Sequence, residues 1–168
     1  MTAITINIRR ARPEDATDLS RVFETAWREA YQGLLPAVAL ERMIGRRGPR
    51  WWLSAVGRGR PLVVLDVGDQ AVGYVSYGRV RDRALPADGE IDELYLSPEY
   101  QGIGFGKRLF KAVRNDLDDR GAKRVAIWCL SENARGCDFY RRLGGRMIAE
   151  ATERFGGVAL GKSCFLFR

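Results

Sequence analysis

The spacing of apolar residues predicts strands and helices in alternation. Residues 2–9 alternate between polar and apolar positions, which is typical of a strand. After Pro13 apolar residues recur every third or fourth position, as on the buried face of a helix: Leu19, Val22, Phe23, Ala26, Trp27 and Ala30. A shorter helix is predicted after Pro36, and residues 51–56 have the same helical spacing.

From Pro61 onward the period changes to two. Residues 62–67 and 71–78 predict a hairpin around the turn Gly68-Asp69-Gln70, and residues 90–96 predict a third strand. A strongly amphipathic helix follows a glycine-rich turn and ends at Gly121. Its apolar stripe consists of Phe105, Leu109, Val113 and Leu117.

The last third of the chain completes an α/β pattern. Residues 125–130 are apolar on both faces, as in a central strand, and Asn133 is placed to cap a short helix through Leu143. Residues 146–155 and 163–167 predict two final strands. The order β-α-α-β-β-β-α-β-α-β-β predicts a mixed, mostly antiparallel sheet with helices on both faces. Its β-α-β unit over 90–130 is expected to be parallel and right-handed.

Composition limits the chemistry that this chain can perform. No linker or repeat divides the 168 residues, so we expect a single domain over 1–168. Histidine is absent, which excludes Ser-His and Cys-His catalysis and zinc sites that need imidazole. The three cysteines lack CxxC spacing, and we interpret Cys129, Cys137 and Cys164 as core thiols. No apolar run is long enough to span a membrane, and a cytoplasmic protein is expected.

The charge favours anionic partners without choosing among them. The net charge is +7, carried mostly by arginine. Six arginines lie between residues 42 and 60, around Trp51 and Trp52. We prefer a solvated helix face with two half-buried tryptophans to a nucleic-acid patch, because no nucleic-acid-binding motif is present.

The turn before the amphipathic helix has the features of an anion site. A strand, a glycine-rich turn and a helix start direct backbone N–H groups to one point. The turn does not match a P-loop, because Gln101 and Arg108 replace a glycine and a serine or threonine. It does not match a dinucleotide fingerprint either, because Lys107 stands where the third glycine belongs. Tight backbone packing is the structural alternative for these glycines.

The segment IDELYLSPEYQGIGFGKRL, residues 91–109, resembles the acetyl-CoA-binding motif of the GNAT superfamily of N-acetyltransferases. Asn133-Ala134 and the run FYRRLG at 139–144 are similar to the next family segment, and residues 27–36 resemble the acceptor-side helices of many bacterial members. This resemblance implies acetyl-CoA as co-substrate and no metal. Ile103 departs from the basic residue that is usual in the turn, and Gly145 from the usual aromatic residue.

The resemblance also implies which residues bind the coenzyme. Backbone groups of residues 94–96 would hold the pantetheine arm, with the Leu94 N–H polarising the thioester carbonyl, and the turn would hold the pyrophosphate. The implied cofactor-binding residues are Leu94, Tyr95, Leu96, Gln101, Gly102, Ile103, Gly104, Phe105, Gly106, Lys107 and Asn133.

Acetyl transfer to an amine also needs a base and a proton donor. Glu90 falls where several family members keep their general base, and Glu93 is the alternate. Strand alternation puts Glu90 and Asp92 on one face and Glu93 on the other, unless a bulge intervenes. Tyr140 matches the tyrosine that gives its proton to the coenzyme thiolate. Solvated strand-end charges and a core tyrosine are the structural alternatives.

We therefore expect an N-acetyltransferase in which a primary amine attacks acetyl-CoA directly in a ternary complex. The alternative is a non-catalytic acyl-CoA-binding or sensing module, against which Tyr140 and the acidic residues at 90–93 argue. The acceptor is a small-molecule or peptide amine, with no nucleic-acid or membrane partner expected and a homodimer left open. By family analogy, Glu29, Tyr31 and residues 79–88 shape the acceptor pocket.

Overall fold

The structure is a computed structural model and describes residues 3–168. It contains seven strands: β1 (Ile6–Arg10), β2 (Leu62–Val67), β3 (Gln70–Arg79), β4 (Gly89–Leu96), β5 (Val125–Leu130), β6 (Arg146–Phe155) and β7 (Val158–Phe167). Its five α-helices are α1 (Ala16–Tyr31), α2 (Ala37–Gly45), α3 (Pro49–Gly57), α4 (Phe105–Asp119) and α5 (Ala134–Arg142). Short 3₁₀ turns cover Pro13–Asp15 and Pro98–Tyr100.

The strands form one mixed sheet in the order β1-β2-β3-β4-β5-β7-β6. The pairs β1–β2, β2–β3, β5–β7 and β6–β7 are antiparallel. Strands β4 and β5 are parallel, with Gly89, Glu90 and Ile91 in register with Val125, Ala126 and Ile127. The predicted mixed, mostly antiparallel sheet with one parallel β-α-β unit is therefore confirmed. The right-handed crossover stays a prediction.

Contacts divide the chain into two compact units. The first unit comprises Met1–Ser76 and Glu93–Val113, and the second comprises Tyr77–Asp92 and Arg114–Arg168. Strands β3 and β4 and helix α4 contribute residues to both. The expectation of a single domain over 1–168 stays a prediction.

Aromatic rings build the core of the first unit. Helix α1 carries Phe23, whose ring centroid lies 5.1 Å from Trp27 and 6.0 Å from Trp52. The Trp52 ring in turn lies 5.0 Å from Tyr74 on β3. Trp52 is 2% exposed and Trp51 41% exposed, because neighbouring helix positions point in different directions. The prediction of two half-buried tryptophans is therefore wrong for Trp52.

The core of the second unit packs α5 against β7. The Tyr140 ring lies 6.0 Å from Phe165 and 6.5 Å from Phe167. A second cluster includes Ala126 and Cys164 on neighbouring strands. All three cysteines are free and buried, as expected for core thiols.

Two strand boundaries differ from those predicted. Strand β1 begins at Ile6, because its partner β2 ends at Val67, which pairs with Ile6; residues 1–2 lie outside the described part. Ile4 is accordingly 73% exposed. Strand β7 begins at Val158, five residues earlier than predicted, because a Gly156-Gly157 turn folds it directly onto β6. The helical spacing at 51–56 is confirmed as α3, which gives three helices between β1 and β2.

Candidate active site

The residues expected to act on acetyl-CoA belong to both units. Glu93, residues 94–96 and the turn 101–107 lie in the first unit. Glu90, Asn133 and Tyr140 lie in the second. The turn and the alternate base thus share one unit, while the first-choice base and the candidate acid share the other.

The glycine turn leaves donors unpaired and space open. Gly102 and Gly104 have φ values of +75° and +93°, a left-handed conformation that glycine tolerates best. A Cβ atom added at either residue would meet no atom within 4 Å. The Arg108 N–H makes the first helical bond, to the Gly104 carbonyl at 3.1 Å, so the N–H groups of residues 105–107 have no acceptor within the helix. Open space, free N–H groups and a helix start fit the diphosphate of acetyl-CoA.

Contacts from within the first unit hold the turn in place. The Gln101 side-chain amide donates to the Leu96 carbonyl at 2.9 Å, which ties the turn to the end of β4. The Tyr100 and Phe105 rings lie 6.2 Å apart, and the Arg108 guanidinium lies 5.7 Å from the Phe105 ring. Ile103 is exposed, and the basic side chains of the turn region are those of Lys107 and Arg108. Gln101 therefore shapes the turn through its side chain.

Between the two hydrogen bonds that flank the β3–β4 pairing, the chain is one residue longer on the β4 side than on the β3 side. The Val80 N–H donates to Asp88 O at 3.2 Å, and the Ser97 N–H donates to Val72 O at 2.8 Å. Between these two bonds β3 advances eight residues and β4 nine. This offset is that of a β-bulge, which redirects side chains and is common beside active sites.

Glu93 is held by two donors. Its Oε1 atom accepts a hydrogen bond from Arg47 Nη1 at 2.6 Å, and its Oε2 atom accepts one from the Tyr74 hydroxyl at 2.8 Å. Burial, and then the charge of Glu93, raises the pKa of Tyr74 well above its ordinary value, so the hydroxyl keeps its proton. Both oxygens of Glu93 are therefore committed within the protein.

Glu90 and Asp92 share Arg81. Glu90 Oε2 accepts from the Arg81 backbone N–H at 3.1 Å and lies 3.5 Å from Arg81 Nε. Arg81 Nη2 donates to Asp92 Oδ1 at 2.8 Å. This shared partner agrees with the prediction that Glu90 and Asp92 lie on one face. Among residues 3–168, no protein donor contacts Glu90 Oε1, which leaves one oxygen of this carboxylate open.

The Tyr140 hydroxyl lies in an apolar environment. Burial, and then the Cys129 and Cys137 thiols, raise the pKa of Tyr140 above its ordinary value. The hydroxyl is therefore protonated at neutral pH. No hydrogen bond joins it to another group in the described part of the chain, so its proton is available to a bound ligand.

Asn133 is confirmed as the cap of α5. Its Oδ1 atom accepts from the Gly136 N–H at 3.0 Å. The capping bond uses only the amide oxygen, and the amide nitrogen stays available to the coenzyme. Its role in cofactor binding stays a prediction.

Arg47, Tyr74 and Arg81 are site residues that no pattern in the sequence singles out. Arg47 and Tyr74 contact Glu93, and Arg81 contacts both Glu90 and Asp92. The cluster of arginines between 42 and 60 was visible, but nothing in its spacing shows that Arg47 pairs with a residue 46 positions away.

Residues 3–168 contain neither a cluster that could hold a metal ion nor a helix that could span a membrane. Within that range, no three or more Cys, Asp or Glu side chains are grouped so that they could hold a metal ion. None of the helices there is long and apolar enough to cross a membrane.

Comparisons with known proteins identify the family. Residues 19–145 match the family model described as "Acetyltransferase (GNAT) family". The uncharacterized N-acetyltransferase YuaI of Bacillus subtilis (strain 168) is 26% identical over 155 residues, 92% of this chain and 88% of YuaI. The thialysine N-epsilon-acetyltransferase of Bos taurus is 30% identical over 115 residues, 68% of this chain and 59% of that protein.

Solved structures agree on the fold. The PaiA N-acetyltransferase of Thermoplasma acidophilum, solved in complex with coenzyme A, superposes with a TM-score of 0.75 at 20% identity. The match covers 94% of this chain and 98% of that one. The chain therefore belongs to the acetyltransferase (GNAT) family and is an acetyl-CoA-dependent N-acetyltransferase.

Proposed function

We propose that this enzyme moves the acetyl group of acetyl-CoA directly to a primary amine bound in the same complex. The glycine turn carries this proposal, since its free N–H groups and open space suit the coenzyme. The state of the cysteines supports direct transfer. All three are buried, and burial raises the pKa of Cys129 and Cys164, so no thiolate is prepared to accept the acetyl group.

The turn holds and orients the coenzyme. When bound, acetyl-CoA supplies an activated thioester. The N–H groups at the start of α4 donate to its diphosphate, and Lys107 and Arg108 provide the positive charge that Ile103 does not. Gln101 keeps the turn against the end of β4.

The backbone of β4 polarises the thioester. Leu94 lies beyond Ile91, the last residue of β4 in register with β5. Its N–H, assigned by family resemblance, donates to the thioester carbonyl. A fixed donor of this kind contributes roughly 10²–10³ in rate.

Glu90 is our first choice as the base that takes the proton of the acceptor ammonium. Its Oε2 accepts from Arg81, while Oε1 is open to the amine or to a bridging water. Glu93 is the second choice, because Arg47 and Tyr74 already occupy its two oxygens.

Tyr140 assists the leaving thiolate. Its hydroxyl is protonated at neutral pH and donates a hydrogen bond to the departing sulfur. Because the pKa of Tyr140 is raised, the hydroxyl keeps its proton while this hydrogen bond stabilises the thiolate, and coenzyme A takes up a proton from solvent as it leaves.

The acceptor is a small-molecule or peptide primary amine. The bovine relative, named for thialysine, supports amines of amino-acid type as first candidates. Polyamines, amine antibiotics and protein N-termini complete the set to be tested.

A screen of this set tests the proposal. Purified enzyme and acetyl-CoA are incubated with each amine, and free coenzyme A thiol and acetylated product are measured together. We expect stoichiometric thiol and N-acetyl product with at least one amine. Acetyl-CoA binding by calorimetry without turnover on any amine would instead support an acyl-CoA-sensing module.

A further inference from the structure

Arg47, on the connection between α2 and α3, has an unusually restrained side chain for a surface arginine. Its guanidinium carbon lies 4.8 Å from the centroid of the Phe23 ring and 4.7 Å from that of Trp51. Nη1 donates to Glu93, and the Ser20 hydroxyl lies 3.5 Å from the Arg47 carbonyl oxygen. Two rings and one carboxylate therefore fix the guanidinium in one orientation.

The restrained guanidinium keeps donors to spare. Its bond to Glu93 uses Nη1, and no other acceptor within the described chain contacts its remaining N–H groups. The Arg47 side chain is 31% exposed, so these donors are accessible. An oriented guanidinium with free N–H groups is the geometry that binds a carboxylate through two parallel hydrogen bonds.

Arg47 also contacts the reacting strand in space, through Glu93. Its partner Glu93 directly precedes Leu94, to which the proposed function assigns the thioester carbonyl. Because Arg47 is hydrogen-bonded to Glu93, an anion bound to Arg47 would lie near the part of β4 that orients the acetyl group. The +7 net charge further favours binding of anionic groups.

We propose that Arg47 is an acceptor-binding residue that holds a carboxylate of the amine substrate. The preferred acceptor then carries an anionic group besides its amine, as amino acids and peptides with a free C-terminus do. Trp51 is a positioning residue that keeps the guanidinium in the binding orientation. This inference rests on the proposed function, since it names the substrate class of the same reaction.

Matched acceptors test the inference. Each amine found in the screen is compared with its analogue lacking the carboxylate: L-lysine with 1,5-diaminopentane, and peptides with their C-terminal amides. We expect kcat/KM to be roughly tenfold or more higher for the carboxylate member. The analogue without the carboxylate loses a hydrogen bond to a charged group, and the loss of such a bond has an effect of about this size. Equal use of both members, or preference for the uncharged analogue, would overturn the inference while leaving the transferase function intact.

Variants assign the preference to Arg47. Arg47→Met should remove it, mainly by raising KM for the carboxylate member with little change in kcat. Arg47→Lys keeps the positive charge beside Glu93 but loses the planar guanidinium, so this variant should retain part of the preference for the carboxylate member. Trp51→Leu should weaken it in the same direction. Arg50→Met, at an exposed arginine of the same stretch, is the matched control and should change nothing.

Other results with these variants would overturn the assignment of carboxylate binding to Arg47. A preference that survives in folded Arg47→Met assigns carboxylate binding to another residue and overturns the inference. If Arg47→Met fails to fold, Arg47→Lys and Trp51→Leu test the inference in its place. An unchanged preference for the carboxylate member in both variants would overturn it. Failure to acetylate any amine removes the proposed function and this inference with it.

Discussion

Gly104 in the coenzyme turn and Gly59 after α3 adopt the same left-handed backbone conformation, with φ values of +93° and +92°. Neither has an atom within 4 Å of the position where a Cβ would lie. The two residues therefore match in strain and in local space, and differ in whether free N–H groups at a helix start lie beside them.

Gly104→Val should abolish acetyl-CoA binding. The valine side chain would fill the space that the diphosphate needs, and would cost about 1–2 kcal/mol of backbone strain. Gly59→Val should have a comparable strain cost with unchanged affinity. Calorimetry with acetyl-CoA and a thermal melt check both variants. Normal affinity in folded Gly104→Val would remove the turn from the binding site.

Tyr140→Phe should lower turnover at least tenfold with little change in acetyl-CoA affinity. The substitution keeps the ring contacts with Phe165 and Phe167 and removes a hydroxyl that makes no hydrogen bond within the described residues. Stability should therefore be unchanged.

Tyr77→Phe is the control for Tyr140→Phe. Tyr77 is also a buried tyrosine of the second unit, and its hydroxyl donates to Asp116 at 2.6 Å. Loss of this hydrogen bond in Tyr77→Phe should lower the melting temperature and leave turnover unchanged. Wild-type turnover in Tyr140→Phe would leave Tyr140 a core residue.

Glu90→Gln should lower kcat/KM at neutral pH by about 10²-fold, because positioning and the β4 donor survive the change. Part of the rate should return at alkaline pH, where free amine exists without a base. Glu93→Gln is the companion variant. It breaks the ion pair with Arg47 and should mainly reduce stability. If pH–rate profiles of both variants match the wild type, water alone removes the proton.

The ion pair of Asp88 and Arg124 should make the stability of the fold depend on pH in the acidic range. Hydrogen bonds from the Arg124 side chain and backbone lower the pKa of Asp88 from 3.8 to about 2. A carboxylate whose pKa is lower in the folded state stabilises the fold at pH values above its pKa in the unfolded state. That stabilisation is lost as the pH falls toward the folded-state pKa of about 2. Asp88→Asn should thus melt a few degrees lower at pH 6, and the gap should close between about pH 4 and pH 2. Glu132→Gln, at an exposed carboxylate, should show no such closing gap.

Local patterns predicted most of this fold because each signal lay within one element. The turn at Gly68 and Asp69 has both residues at positive φ, as a two-residue type I′ turn requires, and it joins β2 directly to β3. Gly121, at φ +86°, ends α4 as expected. Strand β7 was predicted five residues too short, because Gly161 weakens the local strand signal that pairing with β6 supplies.

The site was less predictable, because its partners come from distant segments. The motif resemblance identified the turn and the acidic strand. It did not show that Glu93 is engaged by Arg47 and Tyr74, 46 and 19 positions away. The bulge in β4 also escapes sequence periodicity, since it depends on the register with β3.

The burial of the three cysteines has a practical consequence for studying the enzyme. A chromogenic disulfide reagent reacts with thiolates, and here Cys129, Cys137 and Cys164 are shielded, with the pKa of Cys164 raised to about 11 by burial. In a folded sample the colour therefore reports coenzyme A alone, without a protein background. After denaturation the same reagent counts three thiols per chain, so the difference between the native and the denatured counts measures the fraction of enzyme that was folded.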